Sequence, residues 1–304
     1  MDNDMHTREA THTRGKPSLI SRLSSKILRR LRKYSKLPIN YKYKSFSINL
    51  PAHHLLPEYQ KTNPKYDRFL PHLTRYINPS ETIIDIGANI GDSLAGMAEQ
   101  NTTAHYICIE ADDSFYRHLE ENVKKIKTSI NHLKVTTIKA LVGKNISNVS
   151  LDGQYGTKHA VILNEGGLTS SPLDELIPNE SSVRILKSDV DGFDYDVLDS
   201  SMAVIKKHKP ILFFECQFDH EYQKTGYLQT LRTLEQAGYC DWIIFDNFGE
   251  VVMRTGDMSI ICQLISYIWQ QNTGRSTRTI YYYDILAIQK EDTLLVNRVL
   301  EEYK

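Results

Sequence analysis

From residue 82 onward, apolar runs alternate with amphipathic segments, which is the pattern of strands that alternate with helices. Seven runs predict strands, at residues 82–86, 105–110, 135–138, 184–188, 210–216, 242–245 and 281–288. Between the strands, apolar residues at helical spacing predict helices at 94–98, 115–126, 194–204 and 228–236. Their candidate N-caps include Asp92 or Ser93, Asp112 or Asp113, and Asp194. Residues 141–167 show no helical pattern. Alternating strands and helices predict an α/β fold with a doubly wound, mostly parallel seven-stranded sheet.

Residues outside this alternation predict further elements. Residues 46–50 alternate as a short strand, and residues 64–77 place apolar side chains on one helical face. Within residues 141–167, two alternating segments at 149–151 and 160–163 predict a hairpin in place of a crossover helix.

These patterns divide the chain into four parts. They are a basic arm at 1–36, an extension at 37–80 that packs on the core, a main domain at 81–290, and a C-terminal helix at 291–304.

The arm differs from the rest of the chain in charge. Residues 1–36 carry ten Lys or Arg against three Asp or Glu, a net charge of +7, so the neutral chain has −7 elsewhere. Residues 1–17 have no periodicity and are predicted to be disordered. Residues 18–36 predict an amphipathic helix with a basic face. That helix either lies on an anionic membrane surface or packs on its own domain, and the sequence leaves both open.

Composition narrows the class of protein. An acidic body argues against a nucleic-acid enzyme, which would present a basic face. No apolar stretch approaches the ~20 residues of a membrane span. The four widely spaced cysteines predict reduced thiols rather than disulfides or a zinc site. We therefore expect a cytoplasmic protein, with peripheral contact at the inner face of the membrane left open.

The candidate ligand-binding residues lie at the ends of the first two predicted strands of the sheet. The segment 85–92, Asp-Ile-Gly-Ala-Asn-Ile-Gly-Asp, follows the first strand, and Glu110 ends the second. Ligands of such sheets bind at the carboxyl ends of the strands. Glycines permit a tight turn and close approach of a ligand, and a carboxylate at the position of Glu110 can bind both ribose hydroxyls.

The residues of the turn at 85–92 indicate which nucleotide-like ligand the site would bind. Asn89 stands where a dinucleotide site has its second glycine, and Asp85 would repel a pyrophosphate but attract an ammonium. S-adenosylmethionine has a ribose and an ammonium but no phosphate. The predicted cofactor-binding residues are Asp85, Gly87, Ala88, Asn89, Gly91, Asp92 and Glu110.

The segment 85–91 resembles the cofactor loop of FkbM-type methyltransferases. Further blocks fit the family in order, namely residues 173–176, residues 186–194, and Pro210 with Glu215. The resemblance covers roughly residues 80 to 290. It implies a Rossmann-like class I methyltransferase fold and O-methylation, often of sugars or secondary metabolites. Asp191 and Asp194 stand where the family usually has glutamates.

Asp189, Asp191 and Glu215 are the predicted catalytic residues. Asp189 ends the fourth strand, where it could orient an acceptor hydroxyl or take its proton. Asp189 and Glu215 together could bind a divalent cation, but two carboxylates are too few to predict a metal site. A calcium loop aligned on Gly192 fails, because it puts Lys187 and Leu198 at its first and last ligand positions.

Three other features are predicted to be structural. His53-His54 could reach the acceptor pocket or cap a turn, and the turn is favoured. Residues 281–283 (Tyr-Tyr-Tyr) are interpreted as sheet packing, and Lys187 as the partner of a nearby acid.

The sequence thus predicts a methyltransferase that acts on a hydroxyl of a small molecule or a glycan. Two alternatives remain open at this point, an NAD-dependent oxidoreductase and a non-catalytic, membrane-associated binding module.

Overall fold

The computed structural model describes residues 38–52, 54–152, 159–162, 167–177, 182–274 and 279–303. The basic arm, including the predicted helix at 18–36, lies outside the described residues. The strands of the described chain are β1 (Ile39–Lys42), β2 (Ser47–Leu50), β3 (Thr82–Ile86), β4 (His105–Glu110), β5 (Lys134–Lys139), β6 (Leu141–Val142), β7 (Val149–Asp152), β8 (His159–Ile162), β9 (Ser170–Ser171), β10 (Val183–Ser188), β11 (Ile211–Cys216), β12 (Tyr239–Asp246), β13 (Val251–Thr255) and β14 (Tyr283–Gln289). The helices are α1 (Leu56–Thr62), α2 (Phe69–Thr74), α3 (Asp92–Gln100), α4 (Asp113–Ser129), α5 (Leu173–Leu176), α6 (Asp194–Ser200), α7 (Met202–His208), α8 (Glu221–Gln236), α9 (Met258–Gly274) and α10 (Thr293–Glu302).

In the described residues, the central sheet has eight strands in the order β13-β12-β14-β11-β10-β3-β4-β5. β5, β4, β3, β10 and β11 pair in parallel, whereas β14 is antiparallel to both β11 and β12. The predicted doubly wound α/β class is therefore confirmed. The predicted count of seven strands is corrected to eight, because β13 adds an antiparallel edge strand.

The sheet lies between two apolar layers because its central strands alternate between them. All five residues of β3 are buried; Ile83 packs in one layer and Ile84 in the other. The first layer contains α3, α4, α10 and apolar residues of β1–α2. The second contains α6, α7, α8 and α9. With both faces covered, ligands reach the sheet at its edges and strand ends.

The region before the sheet differs from its prediction. Residues 64–77 do not form one helix; α1 ends at Thr62 and α2 begins at Phe69. Asp67 between them has φ +54°, a left-handed conformation that a right-handed helix cannot contain. The segment therefore bends, and it turns its polar residues toward the strand ends.

The predicted hairpin is confirmed, with β7 and β8 pairing antiparallel. The predicted helix at 194–204 is two short helices that meet at Ser201.

The cysteines of the chain are all free thiols, namely Cys108, Cys216, Cys240 and Cys262.

Among the described residues, no helix combines the length and the apolar character needed to cross a membrane.

Candidate functional site

A cleft opens between the ends of β3 and β4, the β7–β8 hairpin and the turn after β10. We call it the β3–β4 cleft; it comprises about 900 Å³, including space open to solvent, and is lined chiefly by apolar side chains. Its lining includes Ile86, Gly87, Asn89, Glu110, Ala111, Phe115, Leu141, Ile146, Leu151, Asp189, Val190, Asp191, Phe193 and Asp196. A mostly apolar pocket with a few polar groups is typical of a small-molecule or cofactor site.

The loop after β3 is held against the ends of two neighbouring strands. The N–H groups of Gly87 and Ala88 both donate to the Ile109 carbonyl at 3.0 Å. Gly87 has φ +73°, and a Cβ there would lie 2.0 Å from the backbone oxygen of Asp189. A glycine is thus needed at position 87 because the loop packs closely against the end of β10. Space for a ligand is not the only reason for it.

Helix α3 begins without the side-chain cap that the sequence suggested. Gly91 is the N-cap in a left-handed conformation, and no side chain caps the helix. Asp92 is the first helical residue, and its carboxylate lies 3.6 Å from the ring of His54. The expectation that Asp92 or Ser93 caps the helix is wrong, because the glycine turn places both inside it.

Glu110 presents a fixed carboxylate to the β3–β4 cleft. One of its oxygens accepts from the Asn89 N–H at 2.8 Å and the other from the Asp112 N–H at 2.7 Å. Burial raises the pKa of Glu110, and the backbone N–H donors oppose that shift. Each oxygen keeps acceptor capacity, so the geometry suits the vicinal hydroxyls of a ribose.

Asp85 does not lie where an ammonium-binding role would require. Its side chain is 1% exposed, it does not line the cleft, and Oδ1 accepts from Lys187 Nζ at 2.8 Å. The predicted direct contact of Asp85 with a ligand is therefore not supported, because β3 and β10 pair in register and place Lys187 opposite it. The prediction that Lys187 pairs with a nearby acid is confirmed.

Lys187 links this buried pair to the site. Its Nζ lies 3.5 Å from Oδ2 of Asp189, the residue that follows β10. Burial alone would lower the pKa of Lys187, but the charges of Asp85 and Asp189 outweigh burial and raise it. The ammonium therefore stays charged beneath the site.

Asp189 stands between two cavities. Its side chain is 49% exposed and lines both the β3–β4 cleft and a second, larger cavity beside it. Asp189 is therefore a residue that the two spaces share.

The turn after Asp189 is anchored by Asp194. The Asp194 carboxylate accepts from the Ser188 hydroxyl at 2.5 Å, the Val190 N–H at 3.2 Å and the Tyr227 hydroxyl at 3.3 Å. Burial raises the pKa of Asp194 to about 7. Asp194 was predicted as a helix cap; Phe193 holds that position instead, and Asp194 is the first helical residue.

Asp191 lies in the same turn, with φ +52°. Like Asp189, it lines both the β3–β4 cleft and the second cavity.

We call the second cavity the acidic cavity; it encloses about 1310 Å³, including space open to solvent. It lies between α1, the loop before α2, and the ends of β3, β10, β11 and β14. Six of its described lining residues are carboxylates, Asp67, Asp92, Asp189, Asp191, Glu215 and Asp284. The remaining polar lining includes His54, Tyr59, Tyr66, Gln217, Tyr281 and Tyr282.

Glu215 is the most buried carboxylate of this cavity. It is 7% exposed at the end of β11, and its Oε2 has no hydrogen-bond partner in the described part of the chain. Burial, with Asp189 and Asp191 adding repulsion, raises the pKa of Glu215 well above its usual range. The structure thus brings the three predicted catalytic residues to one cavity.

Some lining residues were only partly anticipated by the sequence analysis. His54 accepts a hydrogen bond from the Leu56 N–H at 3.4 Å, as a turn residue would, and it also lines the acidic cavity. His53 lies outside the described residues. Tyr281 and Tyr282 line the cavity too, so the prediction of sheet packing holds only for the buried Tyr283. Asp67 and Asp284 belong to no motif, and no sequence signal could have found them.

The carboxylates of the acidic cavity are not arranged around a common metal position. Among the described residues, no group of three or more His, Cys, Asp or Glu is arranged to hold a metal ion. In the described part of the chain, Asp189 and Glu215 are not grouped with a third ligand of the kind that a protein cation site usually has.

Comparison with known proteins adds a family match. Residues 85–240, a little over half of the chain, match the model of the Methyltransferase FkbM domain. No curated protein matches the chain.

Solved structures resemble the chain only distantly. A methyltransferase FkbM from Methylobacillus flagellatus KT is 18% identical over 53% of this chain and 48% of that one, with a TM-score of 0.36. Precorrin-6y C5,15-methyltransferase from Geobacter metallireducens GS-15 is 10% identical over 73% and 87%, with a TM-score of 0.39. TYW2 of M. jannaschii in complex with AdoMet is 12% identical over 83% and 86%, with a TM-score of 0.42.

Proposed function

The chain belongs to the FkbM methyltransferase family, and from that premise we propose that it transfers a methyl group from S-adenosylmethionine to a hydroxyl of a sugar, a glycan or a secondary metabolite. The observation that carries the proposal is the position of Asp189, which lines both the β3–β4 cleft and the acidic cavity. A donor in one space and an acceptor in the other would meet at this carboxylate.

The residues of the β3–β4 cleft fit the cofactor. Glu110 offers both carboxylate oxygens to the ribose, and their positions are fixed by the N–H groups of Asn89 and Asp112. Phe115 and the apolar residues around it can cover an adenine ring. The loop at Gly87 and Asn89 lines both cavities and leads from the ribose position toward Asp189.

For methyl transfer the protein has two main tasks. It must align the donor and the acceptor, and it must provide an acceptor for the proton of the hydroxyl. S-adenosylmethionine supplies a methyl carbon that its positive sulfur already activates. The two cavities align acceptor and donor, which is a proximity effect. Asp189 takes the proton of the acceptor hydroxyl, and Lys187 at 3.5 Å holds that carboxylate in position.

Replacing Glu110 with alanine is expected to weaken cofactor binding by about 1–3 kcal/mol, or roughly 5- to 150-fold. The change removes two charge-assisted contacts with the ribose. Calorimetric titration of S-adenosylhomocysteine into both proteins measures the difference. Equal affinities would mean that the ribose does not lie at Glu110, and tighter binding of NAD than of S-adenosylhomocysteine would contradict the proposed function itself.

We also propose a cytoplasmic protein whose arm contacts anionic membrane through residues 18–36. Each cation near such a surface contributes about 1 kcal/mol. The full chain is expected to sediment with phosphatidylserine vesicles at low salt, and a variant that lacks residues 1–36 is expected to stay in the supernatant with unchanged cofactor affinity. A full chain that ignores these vesicles would refute the membrane contact.

A further inference from the structure

Glu215 is a buried carboxylate that still needs a hydrogen-bond donor. Its Oε2 is enclosed and has no partner among the described residues, although the residue lines the acidic cavity. A buried charged or polar group left without a partner is costly, so such groups usually meet a ligand, a water or an ion. Because Glu215 also lines the acidic cavity, the occupant of that cavity can supply a donor to this carboxylate.

Neighbouring residues make the need for positive charge greater. Glu215 and Asp284 are directly opposed partners on the adjacent strands β11 and β14, and both line the cavity. Like charges directly opposed across a pair of strands destabilise the sheet. Asp67 adds a third carboxylate from the loop before α2.

The cofactor does not account for these three carboxylates. Asp189 and Asp191 line the β3–β4 cleft as well as the acidic cavity, so they face the donor as well as the acceptor. Glu215, Asp284 and Asp67 line the acidic cavity but not that cleft. These three side chains therefore border the space that the acceptor would occupy.

The surroundings favour an organic cation over a metal ion. Described carboxylates of the site are not grouped to ligate a metal, whereas an ammonium donates up to three separate hydrogen bonds to dispersed acceptors. Tyr66, Tyr281 and Tyr282 add aromatic surface to the cavity, which suits both a cation and the apolar face of a sugar ring. None of the described residues that line the acidic cavity is Lys or Arg. Lys187 and Arg68 line an adjoining space that Asp67, Glu215 and Asp284 also border.

We propose that the acceptor carries a protonated amine beside the hydroxyl that is methylated, as an amino sugar or an aminocyclitol does, and that Glu215 binds that ammonium. The inference rests on the proposed function, because it concerns the acceptor side of the same site. The amine is a recognition group and stays unmodified.

The test compares matched sugars. Glucosamine, galactosamine and mannosamine, each beside its parent hexose and its N-acetyl form, are titrated into the full chain saturated with S-adenosylhomocysteine. At least one hexosamine is expected to bind about tenfold or more tightly than both of its uncharged counterparts, because charge-assisted hydrogen bonds are the strong ones. Glu215→Gln keeps the shape of the side chain and is expected to reduce this preference to roughly threefold or less.

Glu235→Gln is the matched control, since Glu235 is exposed on α8 and lines neither cavity; it should keep the preference. The inference is overturned if no hexosamine is preferred, if Glu215→Gln keeps the preference, or if the sugars bind only with Mg²⁺ present. If S-adenosylhomocysteine does not bind, that result counts against the proposed function alone. The preference for the amine is then measured by titrating the same sugars into the protein without S-adenosylhomocysteine.

Discussion

Asp189→Asn is expected to slow methyl transfer by about 10²–10⁴-fold while cofactor affinity changes little. Asparagine keeps the volume of the side chain but cannot accept the hydroxyl proton. The cofactor contact that the structure defines best, at Glu110, is on a different strand. Transfer is followed with isotopically labelled S-adenosylmethionine on a panel of free and lipid-linked sugars that includes amino sugars, and affinity is followed by calorimetry.

Asp191→Asn provides the comparison for this experiment. Asp191 also lines both cavities, but it occupies the left-handed turn beside Gly192 and not the strand end. We expect a smaller loss of rate from it than from Asp189→Asn. Wild-type turnover in Asp189→Asn would remove Asp189 from the mechanism, and loss of cofactor binding in that variant would move Asp189 to the cofactor site.

Lys187→Met is expected to destabilise the fold by about 3–5 kcal/mol, because it leaves Asp85 as an uncompensated buried charge. Lys187 is 5% exposed and Asp85 is 1% exposed, and their side chains meet at 2.8 Å. At about 2–4 °C for each kcal/mol, the midpoint of thermal unfolding should fall by roughly 6–20 °C. Thermal and urea unfolding of both proteins measure the change.

The double variant Asp85→Asn with Lys187→Met is the control. Removing both charges should restore much of the lost stability, because the penalty comes from the unpaired carboxylate and not from the loss of the pair as such. If Lys187→Met unfolds like the wild type, or if the double variant is less stable than the single one, the ion pair does not have this role.

The strands of the sheet could be predicted because their residues are buried on both faces. A strand such as β3, with every residue buried, is a continuous apolar run in the sequence. β13 lacks this signal, because Val251 and Val252 are exposed at the edge of the sheet. An edge strand is defined by its pairing with β12 and not by its own composition.

The cofactor side of the site could also be predicted, because it is local. Glu110 and the glycine loop are close to the ends of consecutive parallel strands, and consecutive parallel strands bring their carboxyl ends to one edge. The pairing of Asp85 could not be predicted in the same way. Its spacing from Gly87 is visible in the sequence, but its partner Lys187 is about a hundred residues away and meets it only through the register of β3 with β10.

By itself the sequence determined the α/β class, the motif that carries the family, and the carboxylates at the ends of β4, β10 and β11, since burial pattern and turn chemistry are local properties of the chain. Only the tertiary structure decided that Asp67, Glu215 and Asp284 share one cavity. These residues come from a left-handed turn before the sheet, from β11, and from a strand that inserts antiparallel between β11 and β12. Their meeting depends on strand order, which no periodicity in the chain records, because periodicity reports which face a residue buries and not which distant element covers it.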